Sequence, residues 1–221
     1  MWFKTFIKSN LYFLVPLVAF LSLGGVLLYM YDKETLLITI NSKYSAFGDF
    51  FFQYYTHVGD GSFYLFLSFL TLLFVSKYKA ILMIVSYAFT SLIAQLIKYN
   101  IPGQNFRPRS HFWFDSDRIH FVDGVEIMVS HSFPSGHTTS AFSMFLLFSI
   151  FAKNRFLSFL FFIMALMVGY SRMYLGQHFF EDVYGGAIIG TTLTLLSYYF
   201  LDFVWKLFDK KSLEKGVFNT L

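Results

Sequence analysis

Cysteine is absent from these 221 residues, which excludes a disulfide framework and any thiolate-ligated metal or redox centre. Charge is scarce: Asp, Glu, Lys and Arg make up 14% of the chain, against about 25% in an average soluble domain. Too few charges are present to cover a water-facing surface of this size. The net charge of +4 does not point to nucleic acid, because the basic residues sit in short breaks rather than in one basic patch. Internal repeats and low-complexity tracts are absent, and the length reads as a single domain over 1–221.

What the chain has instead is apolar and aromatic surface: 56% hydrophobic residues, among them 32 Phe and 15 Tyr. Six apolar runs approach bilayer length, at 11–31, 62–75, 80–98, 138–152, 156–170 and 183–204. The fold class expected is therefore all-α: a polytopic membrane protein with six transmembrane helices in a compact bundle. No small-x-small cleavage pattern follows Met30-Tyr31, so the first run reads as a membrane helix rather than a cleaved leader. The mixed stretch 32–60 reads as an interfacial segment with Tyr and Phe at headgroup depth, and Asp60-Gly61 as the cap of the second span. Residues 99–133 form the one long polar loop. With six spans, one side carries the N-terminus, 77–79, 153–155 and the C-terminus, with ten Lys/Arg against three acids. The other side, counted with Lys98, carries seven Lys/Arg against ten acids. Positive residues mark the cytoplasmic side, so both termini are expected inside and the loop 99–133 outside.

Chemistry gathers on that outer face. The short break Lys153-Asn154-Arg155 turns a hairpin between two runs, each just long enough to cross, and so returns Arg172 to the face that His137 left. A helix starting near Glu181 holds His178 and Asp182 four apart, on one face. Lys98, Arg107 and Arg172 offer three positive groups with many donors, which suits phosphate better than a single carboxylate. Free backbone N–H groups at Ser135 and Gly136, where a helix opens, add a second anion-binding device, and Gly136 lets a ligand come close to the backbone. Within such a cradle His178 can attack phosphorus if Asp182 holds its other ring nitrogen, while His137 protonates the leaving oxygen.

Pro134-Ser135-Gly136-His137, and Ser171-Arg172 followed after five residues by His178 and after three more by Asp182, resemble the second and third signatures of the type 2 phosphatidic acid phosphatase superfamily. That family's first signature is Lys, six residues, then Arg-Pro. Here eight residues separate Lys98 from Arg107-Pro108, so either the loop bulges by two residues or another donor stands in for Lys98. The resemblance implies a membrane lipid phosphatase in which His178 becomes a phosphohistidine, Asp182 orients it, and His137 is the acid and then the base that activates water. It further implies that Lys98, Arg107, Ser135, Gly136 and Arg172 bind phosphate, with no metal and no cofactor. Phosphatidate, phosphatidylglycerol phosphate, undecaprenyl diphosphate and a lipid A phosphate all fit as substrates, in a bacterial inner membrane with the site facing outward.

Blander readings exist for each residue. A lone histidine at a helix end is often a cap, and a lysine at a span's edge often snorkels. Four ionisable groups in register beside a membrane, however, are costly and point to function. His111, His120 and His131 with Asp115, Asp117 and Asp123 fit no ligand spacing and read as a wet, polar external loop; His57, just before Gly59-Asp60-Gly61, is placed to cap or line the site, with a structural role the preferred reading. Gly186 and Gly190 lie on the face of Asp182 and allow close helix packing. Rival functions are phosphoryl transfer to an acceptor other than water, and a non-enzymatic anion transporter; a vanadate-dependent oxidase would share the site but is a soluble class. Lipid and bilayer are the partners expected, without nucleic acid, and nothing in the sequence sets an oligomeric state.

Overall fold

The structure, a computed structural model, describes residues 2–100, 106–126, 128–207 and 214–218. Lys210 and Lys211 of the basic tail lie outside the described residues. Nine α-helices are described: α1 (Trp2–Met30), α2 (Lys33–Asn41), α3 (Ala46–Tyr55), α4 (Gly61–Phe74), α5 (Lys77–Asn100), α6 (Pro108–His111), α7 (Gly136–Ala152), α8 (Arg155–Tyr174) and α9 (Phe180–Leu207). Two short 3-10 turns, Thr56–Gly59 and Ser116–Arg118, complete them. Among the described residues the only extended pairing is an isolated antiparallel bridge between Phe106 and Ser130. The protein is all-α, as its composition predicts.

The centre is α7. Its sequence is apolar on every side, and a helix of that kind belongs inside a protein. Phe142, Met144, Phe145, Leu146 and Leu147 are at most 2% exposed. The helix packs against α8, α9 and α5, while α1 lies outside on α8 and turns Val15, Val18, Leu23 and Val26 outward. Small residues set the α7–α9 seam: a Cβ on Gly190 would run into the Thr139 backbone carbonyl, so only glycine allows this approach. Thr194 Oγ1 donates to Ser143 Oγ across the same seam at 2.7 Å. Such interhelical bonds average about 0.6 kcal/mol, so close packing rather than hydrogen bonding dominates the seam.

Four helices are long and apolar enough to cross a bilayer, over Asn10–Met30, Lys77–Asn100, Arg155–Tyr174 and Phe180–Trp205. A fifth candidate span is broken: Ala46–Gly59 and Gly61–Phe74 are bent by 57° about Asp60. The central helix α7 has 17 residues, about 25 Å at ~1.5 Å per residue, against a hydrocarbon core of about 30 Å. Where six spans are expected from sequence, the described residues have four helices of full length, one bent pair and one short buried helix. The bend arises because the aromatic stretch before Asp60 is itself helical. Ser45 caps α3 by accepting from Gly48 N at 3.1 Å, and Asp32 caps α2 by accepting from Thr35 N at 2.8 Å. The stretch 32–60, read from sequence as an interfacial segment, is thus helical over most of its length.

The long loop is also less solvated than expected. Phe112, Ile119 and Val122 are at most 8% exposed and pack with residues of α2, α8 and α9. Asn41 ties the loop down, donating from Nδ2 to the carbonyls of His120 (2.8 Å) and Tyr174 (2.7 Å) and accepting from His120 N. His111 pairs with Glu34 at 2.7 Å, and His120 with Asp49 at 3.0 Å. Two of the loop histidines therefore fasten it to α2 and α3.

Candidate active site

The last turn of α8 carries Arg172, and the chain then reverses through Gly176, whose φ of +62° is left-handed and suits glycine. The N–H groups of Gln177 and His178 both donate back to the Arg172 carbonyl, at 2.9 and 3.2 Å. This turn sets His178 beside Arg172. Asp182 follows in the first turn of α9, where its Oδ2 accepts from Ser132 Oγ (2.5 Å), Phe179 N (2.9 Å) and His178 Nδ1 (3.2 Å). With Nδ1 donating to the carboxylate, the lone pair of His178 is on Nε2. The ring is 1% exposed. Burial, followed by the charges of Arg107, Arg172 and Lys98, drives its pKa well below the ordinary histidine value, so the imidazole is neutral near pH 7 and its lone pair is free.

Lys98 from α5, Arg107 from the loop, Gly136 and His137 from the start of α7, Arg172 and His178 line one cavity of about 680 Å³. Asp182 stands behind His178. The two extra residues of the Lys98–Arg107 interval fall in a stretch whose part 101–105 lies outside the described residues, but the lysine still reaches the cavity. Arg107 is 6% exposed and held by Nε donation to Ser130 O at 3.0 Å and by Nη1 donation to Gln177 O at 3.4 Å. Arg172 donates from Nη1 to Thr56 Oγ1 at 2.7 Å and from Nη2 to Gln177 Oε1 at 3.4 Å. Its Nε is buried without a partner among the described residues. An orphaned donor of this kind is costly in a protein interior and marks where an anionic oxygen fits.

Ser135 departs from its expected part. Its N–H is not free but donates to the Asp182 carbonyl at 3.0 Å, and its hydroxyl caps α7 by accepting from Thr138 N and Thr138 Oγ1. It joins α7 to α9 instead of facing the cavity. The backbone N–H groups left for an anion are those of Gly136 and His137, in the first turn, which has no intrahelical partners. A Cβ on Gly136 would meet nothing within 4 Å, so that end of the helix faces open space.

Asp60 was read as a helix cap, but its side chain makes no capping bond. Oδ1 lies 2.6 Å from His137 Nε2, and Oδ2 lies 2.7 Å from His57 Nδ1. Both oxygens of the carboxylate are engaged by imidazoles. His57, read from sequence as structural, thus stands next to the site. Sequence reasoning missed Asp60, Thr56, Gln177 and Ser132. The available signal was a His and an Asp three apart, flanked by Gly59 and Gly61, in a break between apolar runs. Among the described residues no three of His, Asp and Glu gather as a ligand set for a metal ion.

The chain is similar in sequence and fold to known proteins. The sequence model of the PAP2 superfamily matches residues 79–206. A lipid A 4'-phosphatase of Porphyromonas gingivalis is 31% identical over 104 residues, which cover 45% of this chain and 44% of that protein. The undecaprenyl-diphosphatase BcrC of Bacillus subtilis is 29% identical over 113 residues, covering 51% of this chain and 55% of its own. The matched stretch thus spans about half the length of these curated relatives. Among solved structures, Aquifex aeolicus LpxE aligns with a TM-score of 0.62 at 25% identity, over 75% of this chain and 93% of that one. A transmembrane phosphatidylglycerolphosphate phosphatase of Bacillus subtilis shares the fold, with a TM-score of 0.58 at 21% identity, over 87% of this chain and 98% of its own.

Proposed function

We propose that this chain, which belongs to the PAP2 superfamily, is an integral membrane phosphatase acting on a lipid phosphate or diphosphate through a phosphohistidine. The observation that carries this reading is the buried His178, held through Nδ1 by Asp182, facing the same cavity as Lys98, Arg107 and Arg172 with His137 also on its wall. His178 Nε2 forms the N–P bond as the P–O bond to the lipid breaks. The departing electron pair goes to the lipid oxygen, which takes a proton from His137. In the second half water attacks phosphorus and gives its proton to His137, and the N–P electron pair returns to Nε2. The three cations and the N–H groups of Gly136 and His137 carry the charge on the equatorial oxygens. The relatives named as phosphatases of lipid A and of undecaprenyl diphosphate support a lipid-borne leaving group.

Because charge on the transferring group is met by side-chain cations, the reaction is expected to need no divalent ion. The purified chain in proteoliposomes should release inorganic phosphate from a panel of lipid phosphates and diphosphates in the presence of chelator. Vanadate, which takes up the pentacoordinate geometry, should block that release. Activity that disappears with chelator and returns with a divalent cation would overturn the metal-free reading.

The charge asymmetry of the loops also supports six passes of a bacterial cytoplasmic membrane, with α7 and the bent pair counted as spans and both termini inside. The site then faces the exterior. A reporter that functions only outside, fused after Ser110, should be active; one that functions only in the cytoplasm should be silent there, and the reverse pattern would refute this topology.

A further inference from the structure

We infer that Asp60 positions His137 as the proton donor to the leaving oxygen, fixing Nε2 so that Nδ1 is the nitrogen that delivers the proton. The inference rests on the reading of His137 as the acid. An acid in this cavity has an electrostatic problem. The cations that receive phosphate surround it: Arg172 from α8 and Arg107 from the loop act directly on His137, and Lys98 from α5 lines the same space. His178 stands across the cavity as a further titratable group, and Tyr87 of α5 reaches the turn beside Gly61. Glu126 of the loop also lines the cavity, but the carboxylate bonded to His137 is that of Asp60, at 2.6 Å. That carboxylate is engaged on both oxygens, by His137 at 2.6 Å and by His57 at 2.7 Å. An imidazolium that forms on His137 therefore has its counter-charge already in place.

The geometry is also directional. Asp60 occupies the 57° break between Ala46–Gly59 and Gly61–Phe74, so the bend of this span is what brings the carboxylate to the start of α7. Gly59 is packed against His137, whose carbonyl a Cβ would meet at 2.9 Å. His57, with 65% of its side chain exposed, holds the second carboxylate oxygen and stops the carboxylate from rotating away. Proton transfer then balances without a further reactant. His137 Nδ1–H gives its proton to the lipid oxygen as P–O breaks, and regains one from water as the N–P bond is cleaved, while Asp60 remains ionised throughout.

The test compares two leaving groups and two substitutions in the full chain. Asp60→Asn should lower turnover of an alkyl lipid phosphate on the order of 10²-fold or more, the range of a lost general acid, and that of an aryl phosphate by less than about tenfold. It should also move the alkaline limb of the rate profile to lower pH, since the counter-charge of the acid is gone. Asp60→Glu keeps the charge, so the limb should stay near its parent position even where the rate falls. Equal loss of both substrates with an unmoved limb would make Asp60 a structural residue only. If Asp60→Asn does not fold, a limb displaced downward in Asp60→Glu would overturn the inference just as well. Should His137→Ala itself cost the same on both substrates, the assignment of His137 as acid has failed, and the inference with it.

Discussion

His178→Ala is expected to abolish both turnover and covalent labelling. In the proposed reaction the imidazole offers Nε2 to phosphorus, and alanine leaves no nucleophile in a cavity whose other histidines, His57 and His137, are both engaged by Asp60. Labelling with a radioactive phosphate substrate, followed by quenching, should give a base-stable and acid-labile adduct in the parent chain and none in the variant. Removing the acid has a different signature. His137→Ala should still accept label from a substrate with a good leaving group, because attack does not need the proton when the departing oxygen is a weak base. Label that persists in His178→Ala would refute its assignment as nucleophile. Label lost only in His137→Ala would exchange the two roles.

That such experiments can be planned residue by residue reflects how the site is encoded. Arg172, His178 and Asp182 lie within eleven residues of chain, with a left-handed turn at Gly176 between them. Their juxtaposition is local, and local spacing is legible in sequence. The hairpin of α7 and α8 is similarly legible, because its two apolar runs and the polar break between them leave few ways to fold in a bilayer. The Asp60–His137 contact is not local: it crosses 77 positions, and no periodicity connects its partners. The stretch before Asp60 is so rich in Phe and Tyr that its helical character was masked by its affinity for an interface. Ser135 shows a related limit. A serine before a glycine at a helix start offers both a cap and an N–H, and only the packing of α9 against that turn assigns the N–H to the Asp182 carbonyl.

Asp182→Asn should be the most damaging substitution that leaves the packing intact. In the parent, one oxygen of Asp182 receives Ser132 Oγ, Phe179 N and His178 Nδ1. All three partners donate, so the acceptor must be an oxygen with no proton of its own. Asparagine nearly matches the carboxylate in size but brings two N–H donors and a single oxygen. If the amide nitrogen takes the place of Oδ2, it meets the Phe179 N–H and faces His178, favouring the tautomer with its proton on Nε2. The lone pair then sits on the side away from phosphorus. Even in the correct tautomer, the amide does not stabilise the positive ring that forms as the N–P bond closes. By analogy with the carboxylate of a serine-protease triad, the loss in kcat is up to roughly 10⁴-fold. Substrate affinity should change far less, because in the proposed site Lys98, Arg107 and Arg172 would hold the phosphate from other elements. The check is a split of kcat from KM together with the unfolding midpoint: kcat should collapse while KM and the midpoint stay near their parent values. A rate within tenfold of the parent, in a variant that still labels, would show that His178 does not depend on Asp182 for its tautomer.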